Sequence, residues 1–258
     1  MHWNIDPILI TIGPLQLHWY GLLFATGLLL AYYLTEWIFK KESKNYKLVE
    51  PLFLYIVIGM VIGARLAHVL FYDLSYYLKH PIEILYVWKG GLASHGGFFG
   101  VIIAIWLFCK KYNFNFLWLL SRLSIGAMLI ATFIRVGNFF NSEIVGIKSN
   151  SSFGVIFDRV DNILRHPVVL YEAFAYFLIF LILLNLYIKL TPKKYTNLGF
   201  GLVLVLGFGS RVFLEQFKTI QSQFATDLPL SMGQILSLPY IVAGIILLII
   251  SLKNLKSS

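Results

Sequence analysis

The chain has 258 residues, of which 59% are hydrophobic and 13% charged, and its formal net charge is +9. Its apolar stretches repeatedly reach the ~20 residues that a helix needs to cross a bilayer, and no soluble segment between them is long enough to fold alone. In a soluble protein that positive balance would point to nucleic acid; in a membrane chain it records orientation, so no nucleic-acid partner is expected.

Seven spans are predicted, at about residues 17–39, 50–72, 92–110, 116–141, 168–190, 198–217 and 232–252. Each run is continuously apolar, whereas a barrel strand would alternate over ~10 residues, so the expected fold is all-α: one polytopic membrane domain over 1–258. Lys40, Lys41, Lys44, Lys47, Lys110, Lys111, Lys189, Lys193, Lys194, Lys253 and Lys256 fall in alternate connections. The opposite connections hold Lys79, Lys89, Lys148, Arg159, Arg165 and Lys218. The richer side is read as cytoplasmic, which puts the N-terminus outside and the C-terminus inside. The first residues lack the basic region of a cleavable signal peptide, so they are expected to stay attached. A single cysteine, Cys109, excludes an intrachain disulfide and a Cys-rich metal site.

Taken in order, the polar residues of the spans fall near one end of them. Tyr20, in Leu17-His-Trp-Tyr-Gly21, opens the first span, where an interfacial belt tyrosine is the alternative to a functional one. Arg65 lies in the outer half of the second. His95 stands among Gly90, Gly91, Gly96, Gly97 and Gly100, which let another helix or a substrate come close; the imidazole is either hydrogen-bonded structure or a proton acceptor. Glu36 and Arg122, near the other ends, are explained by snorkelling to water.

The fourth span ends in Arg135-Val-Gly-Asn-Phe-Phe-Asn-Ser-Glu-Ile-Val-Gly146. A charged side chain at membrane depth costs roughly 2.5–3.5 kcal/mol, so such groups normally face a bundle interior or wet cavity. Arg135 and Asn138 are i,i+3 and share a helical face. The neighbours of Arg135 in sequence are amides rather than a carboxylate one turn away, and an unpaired guanidinium suits an anion, above all a lipid phosphate. Residues 141–167 form the longest external connection, either a lid or a solvated connector. The fifth span opens on Tyr171 and Glu172. In the sixth, Arg211 and Glu215 are i,i+4, which reads either as an intrahelical ion pair or as part of the anion site.

Together these motifs resemble the bacterial prolipoprotein diacylglyceryl transferases, through essentially the whole chain. The family signature Gly-Arg-x-Gly-Asn-Phe-x-Asn-x-Glu-x-x-Gly is answered by Arg135, Gly137, Asn138, Phe139, Asn141, Glu143 and Gly146. His95-Gly96-Gly97, Gly63-Ala-Arg65, His166-Pro167, Leu170-Tyr-Glu172, Arg211 with Glu215, and Ser231-Met-Gly-Gln-Ile-Leu-Ser237 agree as well. The chain departs from the pattern at Ile134, where the signature opens on glycine. Its Leu206-Gly-Phe-Gly-Ser-Arg211 lacks the tyrosine often found before that arginine, and the connection after the fourth span is shorter than in some relatives.

The resemblance implies transfer of the sn-1,2-diacylglyceryl group of phosphatidylglycerol to the lipobox cysteine of a prolipoprotein signal peptide, at the outer face of the bacterial cytoplasmic (inner) membrane. It implies no metal or other cofactor, since the leaving group is already a phosphate ester. His95, Arg135, Arg211 and Tyr20 are the expected catalytic groups: His95 to take the thiol proton, the arginines to stabilise the phosphate. Substrate contacts are expected from Arg135, Asn138, Glu143, Gly146, Arg211, Glu215, Arg65, Gly96 and Gly97. A phospholipase or headgroup transferase would use the same phosphate site with another acceptor. A transporter would place polar groups across the midplane and show repeated halves, and neither is seen in the sequence.

Overall fold

A computed structural model describes residues 1–219 and 230–256. Among the described residues, six helical stretches are long and apolar enough to cross a membrane: Trp19–Lys41, Tyr46–Phe71, Phe116–Phe140, Val168–Lys189, Pro192–Phe217 and Gly233–Lys253. They answer six of the seven predicted spans and make the chain an all-α polytopic membrane protein. The remaining prediction, 92–110, is also a helix, Ser94–Tyr112, but it fails that measure. Ser94, His95, Gly96 and Gly97 at its start and Lys110 and Lys111 at its end dilute the apolar run, which leaves this helix less apolar than the other six.

The chain divides into two compact units, residues 1–34 with 121–258, and residues 35–120. Helix α1 (Trp19–Lys41) begins in the first unit and ends in the second. The second contains α2 (Val49–Phe71), a short α3 (Leu74–Lys79) and α4 (Ser94–Tyr112). Proline 51 falls in the first turn of α2, where its missing N–H costs nothing, and α4 stops where Asn113 turns left-handed at φ 56°.

The first unit holds α5 (Phe116–Phe140, from residue 121 onward), α6 (Val168–Lys189), α7 (Pro192–Leu202), α8 (Phe208–Leu214) and α9 (Met232–Lys256). A π-helical stretch, Val203–Gly207, joins α7 to α8. Such wide turns cluster at functional sites, and this one lies one turn before Arg211. Helix α9 opens with a capping box: the Gln234 N–H donates to Ser231 Oγ at 3.2 Å, and the Ser231 N–H donates to Gln234 Oε1 at 2.9 Å.

The connection 141–167 is neither a bare lid nor a solvated connector. Strand β1 (His2–Trp3) pairs parallel with β4 (Val155–Phe157), His2 opposite Ile156, and β4 pairs antiparallel with β5 (Leu164–Arg165). Trp3, Phe139, Val155, Phe157 and Val169 form a small core that seats this sheet on the end of α5 and the start of α6. Between β1 and α1, β2 (Ile8–Ile12) and β3 (Leu15–His18) make a hairpin turning at Gly13, φ +57°. Leu29, Leu30, Phe174, Leu181, Ile246 and Ile250 are among many exposed apolar side chains on the spans, the pattern of helices solvated by lipid.

Candidate active site

In the first unit, three cations and three carboxylates gather around the end of α5. Arg135 Nε lies 2.9 Å from Glu172 Oε2, and Glu172, in the first turns of α6, is fully buried. Lys218 Nζ lies 2.8 Å from the other Glu172 oxygen and 3.2 Å from Glu215 Oε2. Neither Glu172 oxygen has an aligned hydrogen-bond donor among the described residues, so these contacts are ionic rather than directional. On the other side, Arg135 Nη1 donates to Asn138 Oδ1 at 3.3 Å, Asn138 Nδ2 donates to Glu143 Oε2 at 2.7 Å, and Asn141 Nδ2 donates to Glu143 Oε1 at 3.0 Å. Tyr176, one turn after Glu172, lies within electrostatic reach of Arg135 and Arg211, and Tyr20 within reach of Glu143 and Arg135.

Local backbone explains how Glu143 comes back over the helix it follows. Ser142 (φ 55°) and Ile144 (φ 53°) are both left-handed, and for a β-branched residue that conformation is strained by about 1–3 kcal/mol. The strain is held by packing of Ile144 on the Trp3 core and by Arg159, whose Nη2 caps α5 through Phe140 O at 2.6 Å and Ser142 Oγ at 2.9 Å. Glycine 137 is there for a neighbour: a Cβ added to it would come 2.8 Å from Tyr20 Cδ2 and 3.2 Å from Tyr20 Cα. Glycine 146 is wedged where three chain segments cross. Its N–H donates to His166 O at 3.1 Å, the next N–H, of Ile147, donates to Phe217 O at 2.9 Å, and an added Cβ would meet Phe217 O at 2.9 Å. Arg165, paired with Asp161, donates from Nη1 to Gly146 O at 3.0 Å.

Several expectations change. Arg135 is not without a carboxylate; Glu172, distant in sequence, supplies one. The intrahelical Arg211–Glu215 pair does not form among the described residues, because α8 ends at Leu214 and Glu215 turns instead to Lys218 and to the Ser231 hydroxyl at 3.2 Å. Gly146 acts on the backbone crossing rather than through a side chain. Lys218, read only as a residue of an outer connection, was missed; its i,i+3 spacing from Glu215 was the available signal.

In the second unit, Arg65 donates to four backbone carbonyls: Nε to Ile84 at 2.8 Å, Nη1 to Gly90 at 2.8 Å and Gly91 at 3.1 Å, Nη2 to Glu83 at 2.5 Å. It is buried and stacked at 4.9 Å over Tyr77, so it organises residues 83–91. Gly96 likewise has a packing role: Gly59 and Gly63 of α2 meet Gly96 and Gly100 of α4 backbone to backbone, and an added Cβ at Gly96 would strike Gly63 O. Gly97 is buried against Met60 and Ala64 of α2. His95, in the first turn of α4, is exposed and makes no hydrogen bond or ion pair among the described residues. Cys109 is buried near the far end of α4.

The cluster in the first unit can hold an anion. Glu172 lies against Arg135 Nε and Asn138 accepts from Nη1, so the guanidinium is held in place by its neighbours, and its planar fork suits a phosphate.

Comparison with known proteins gives the family. The family model described as prolipoprotein diacylglyceryl transferase matches residues 7–250. A phosphatidylglycerol–prolipoprotein diacylglyceryl transferase of Tolumonas auensis is 51% identical over 255 residues, covering 98% of each chain. Proteins of the same name from Chloroherpeton thalassium and Bacteroides fragilis are 44% and 40% identical, covering 98% and 95% of this chain and 94% and 93% of their own. The chain belongs to the prolipoprotein diacylglyceryl transferase family.

Proposed function

We propose that the chain moves the sn-1,2-diacylglyceryl group of phosphatidylglycerol onto the lipobox cysteine thiol of prolipoproteins, the first step of bacterial lipoprotein maturation. The observation that carries the reading is the Arg135 guanidinium, held by buried Glu172 in a cluster with Asn138, Glu143 and Tyr176. A preorganised cation of this kind stabilises charge that develops on a departing phosphate. In the reaction the cysteine sulfur bonds to the glycerol carbon that carries the phosphate ester. The C–O bond to phosphate breaks with its electron pair staying on oxygen, and glycerol phosphate leaves. The thiol proton, from a group of reference pKa ~8.5, passes to a base. His95 is that base in this reading; Arg135 and Arg211 hold the phosphate, and Tyr20, Asn138, Glu143 and Glu215 orient the headgroup and the arginines.

The chain acts as one enzyme over residues 1–258 in the bacterial cytoplasmic membrane, with seven spans, the N-terminus outside and the site toward the outer leaflet. Lysine distribution supports that orientation, and both substrates are available there. Mixing the purified chain with phosphatidylglycerol and a lipobox peptide should add a diacylglyceryl mass to the peptide cysteine. Lipid consumed beside an unmodified peptide would turn the reading to a phospholipase. His95→Gln should abolish transfer while leaving lipid binding intact, and near-normal turnover would remove histidine from the role of base.

A further inference from the structure

Glu172 is fully buried between two cations, Arg135 Nε at 2.9 Å and Lys218 Nζ at 2.8 Å. A buried carboxylate costs several kcal/mol when alone, and with no aligned hydrogen-bond donor among the described residues this one depends on its ion pairs. Its two oxygens are divided, one to each cation. Lys218 is itself shared with Glu215, which also receives the Ser231 hydroxyl beside the N-terminus of α9, where partial positive charge favours a carboxylate. The result is an alternating chain from Arg135 on α5, through Glu172 on α6 and Lys218 after α8, to the start of α9.

We infer that Glu172 and Lys218 form a positioning pair for the phosphate-binding arginine, an inference that rests on the reading that Arg135 holds the lipid phosphate. Glu172 alone would hold Arg135 but cancel its charge toward an incoming anion. With Lys218 on the other oxygen, the Glu172 charge is shared between two cations, so Glu172 holds the guanidinium without its whole charge being set against Arg135. Lys218 thus tunes the field that a phosphate meets, and Glu172 fixes where the guanidinium sits.

The test uses the full chain in detergent, with initial rates measured against phosphatidylglycerol and, separately, against a lipobox peptide, alongside thermal melts. Glu172→Gln should raise the apparent KM for the lipid about 10- to 100-fold, the range of one charge-assisted hydrogen bond, and leave the KM for the peptide unchanged. Glu172→Asp should recover part of the loss. Because the single variant strands a buried ammonium, Glu172→Gln/Lys218→Met provides a second arm: both charges leave together, the melting midpoint returns toward that of the parent, and the lipid KM stays raised.

A double variant with the parent's lipid KM would overturn the inference, since Glu172 would then only neutralise Lys218. So would Glu172→Gln with an unchanged lipid KM while Arg135→Gln raises it. If Arg135→Gln itself leaves the lipid KM unchanged, the phosphate assignment fails first and takes the positioning pair with it.

Discussion

Gly146→Ala tests the backbone crossing beneath the site. A methyl group there would lie 2.8 Å from His166 Cβ and 2.9 Å from Phe217 O, and it would also strike His166 O, so two of the three contacts are backbone oxygens that cannot rotate away. To relieve them the 145–148 segment must leave His166 or Phe217. That strains the bonds from the Gly146 and Ile147 N–H groups and the Thr219 hydroxyl's bond to Val145 O at 3.1 Å. Forcing a methyl into packed structure costs about 1–3 kcal/mol. At about 2–4 °C per kcal/mol for a chain of this size, the melting midpoint in detergent should fall by roughly 2–12 °C. Transfer should fall too, because the Lys218 and Glu143 ends of the charge cluster flank the crossing. Gly209→Ala is the control: its added methyl meets nothing within 4 Å, and alanine in a helix should hold stability or raise it by up to about 1 kcal/mol, so the midpoint should not fall. Melting and transfer unchanged in Gly146→Ala would refute the reasoning.

Gly137→Ala drives a methyl against Tyr20 and should lower kcat/KM about 10- to 100-fold by displacing the ring from Arg135 and Glu143, with little change in the melting midpoint; unchanged kinetics would show that Tyr20 is not placed by this contact. Arg65→Met leaves four carbonyls without their donor, at about 1–3 kcal/mol for each left unsatisfied, so limited proteolysis should cut 83–91 faster than in the parent. Arg65→Lys, a point cation without the planar fork, should be intermediate. The hydrogen bond from Arg165 holds the Asp161 carboxyl below the usual carboxylate range. Its stabilisation is therefore complete above the unfolded value of ~3.9 and is lost as pH falls through the lowered folded value. Amide exchange in residues 146–165 should accelerate below about pH 4, and Asp161→Asn should show fast exchange at every pH.

What the sequence carried well was everything with a period or an ordered motif. Continuous apolar runs located the helices, and the Arg135 to Gly146 signature located the turn that brings Glu143 back to Asn138. What it could not carry was pairing between distant segments. Glu172 and Arg135 are on different helices, and no spacing rule links them. Lys218 reads as a connection residue until α8 is seen to end at Leu214 and return Glu215 toward the start of α9. The packing of Arg65 and Gly96 was hidden for the same reason: a buried arginine looks alike in sequence whether it meets a phosphate or four carbonyls, and a glycine whether it admits a substrate or a helix. The sheet built by His2–Trp3 on residues 155–165 joins chain segments more than 150 residues apart, as His2 bound to Asp158 shows.

The central claim is that Arg135 receives the lipid phosphate. A structure of the full chain with phosphatidylglycerol bound tests it most directly. The phosphate oxygens are expected about 2.7–2.9 Å from the Arg135 Nη groups, with Glu172 still at Nε. A headgroup density settled elsewhere, with Arg135 bound only to Glu172 and Asn138, would contradict the account.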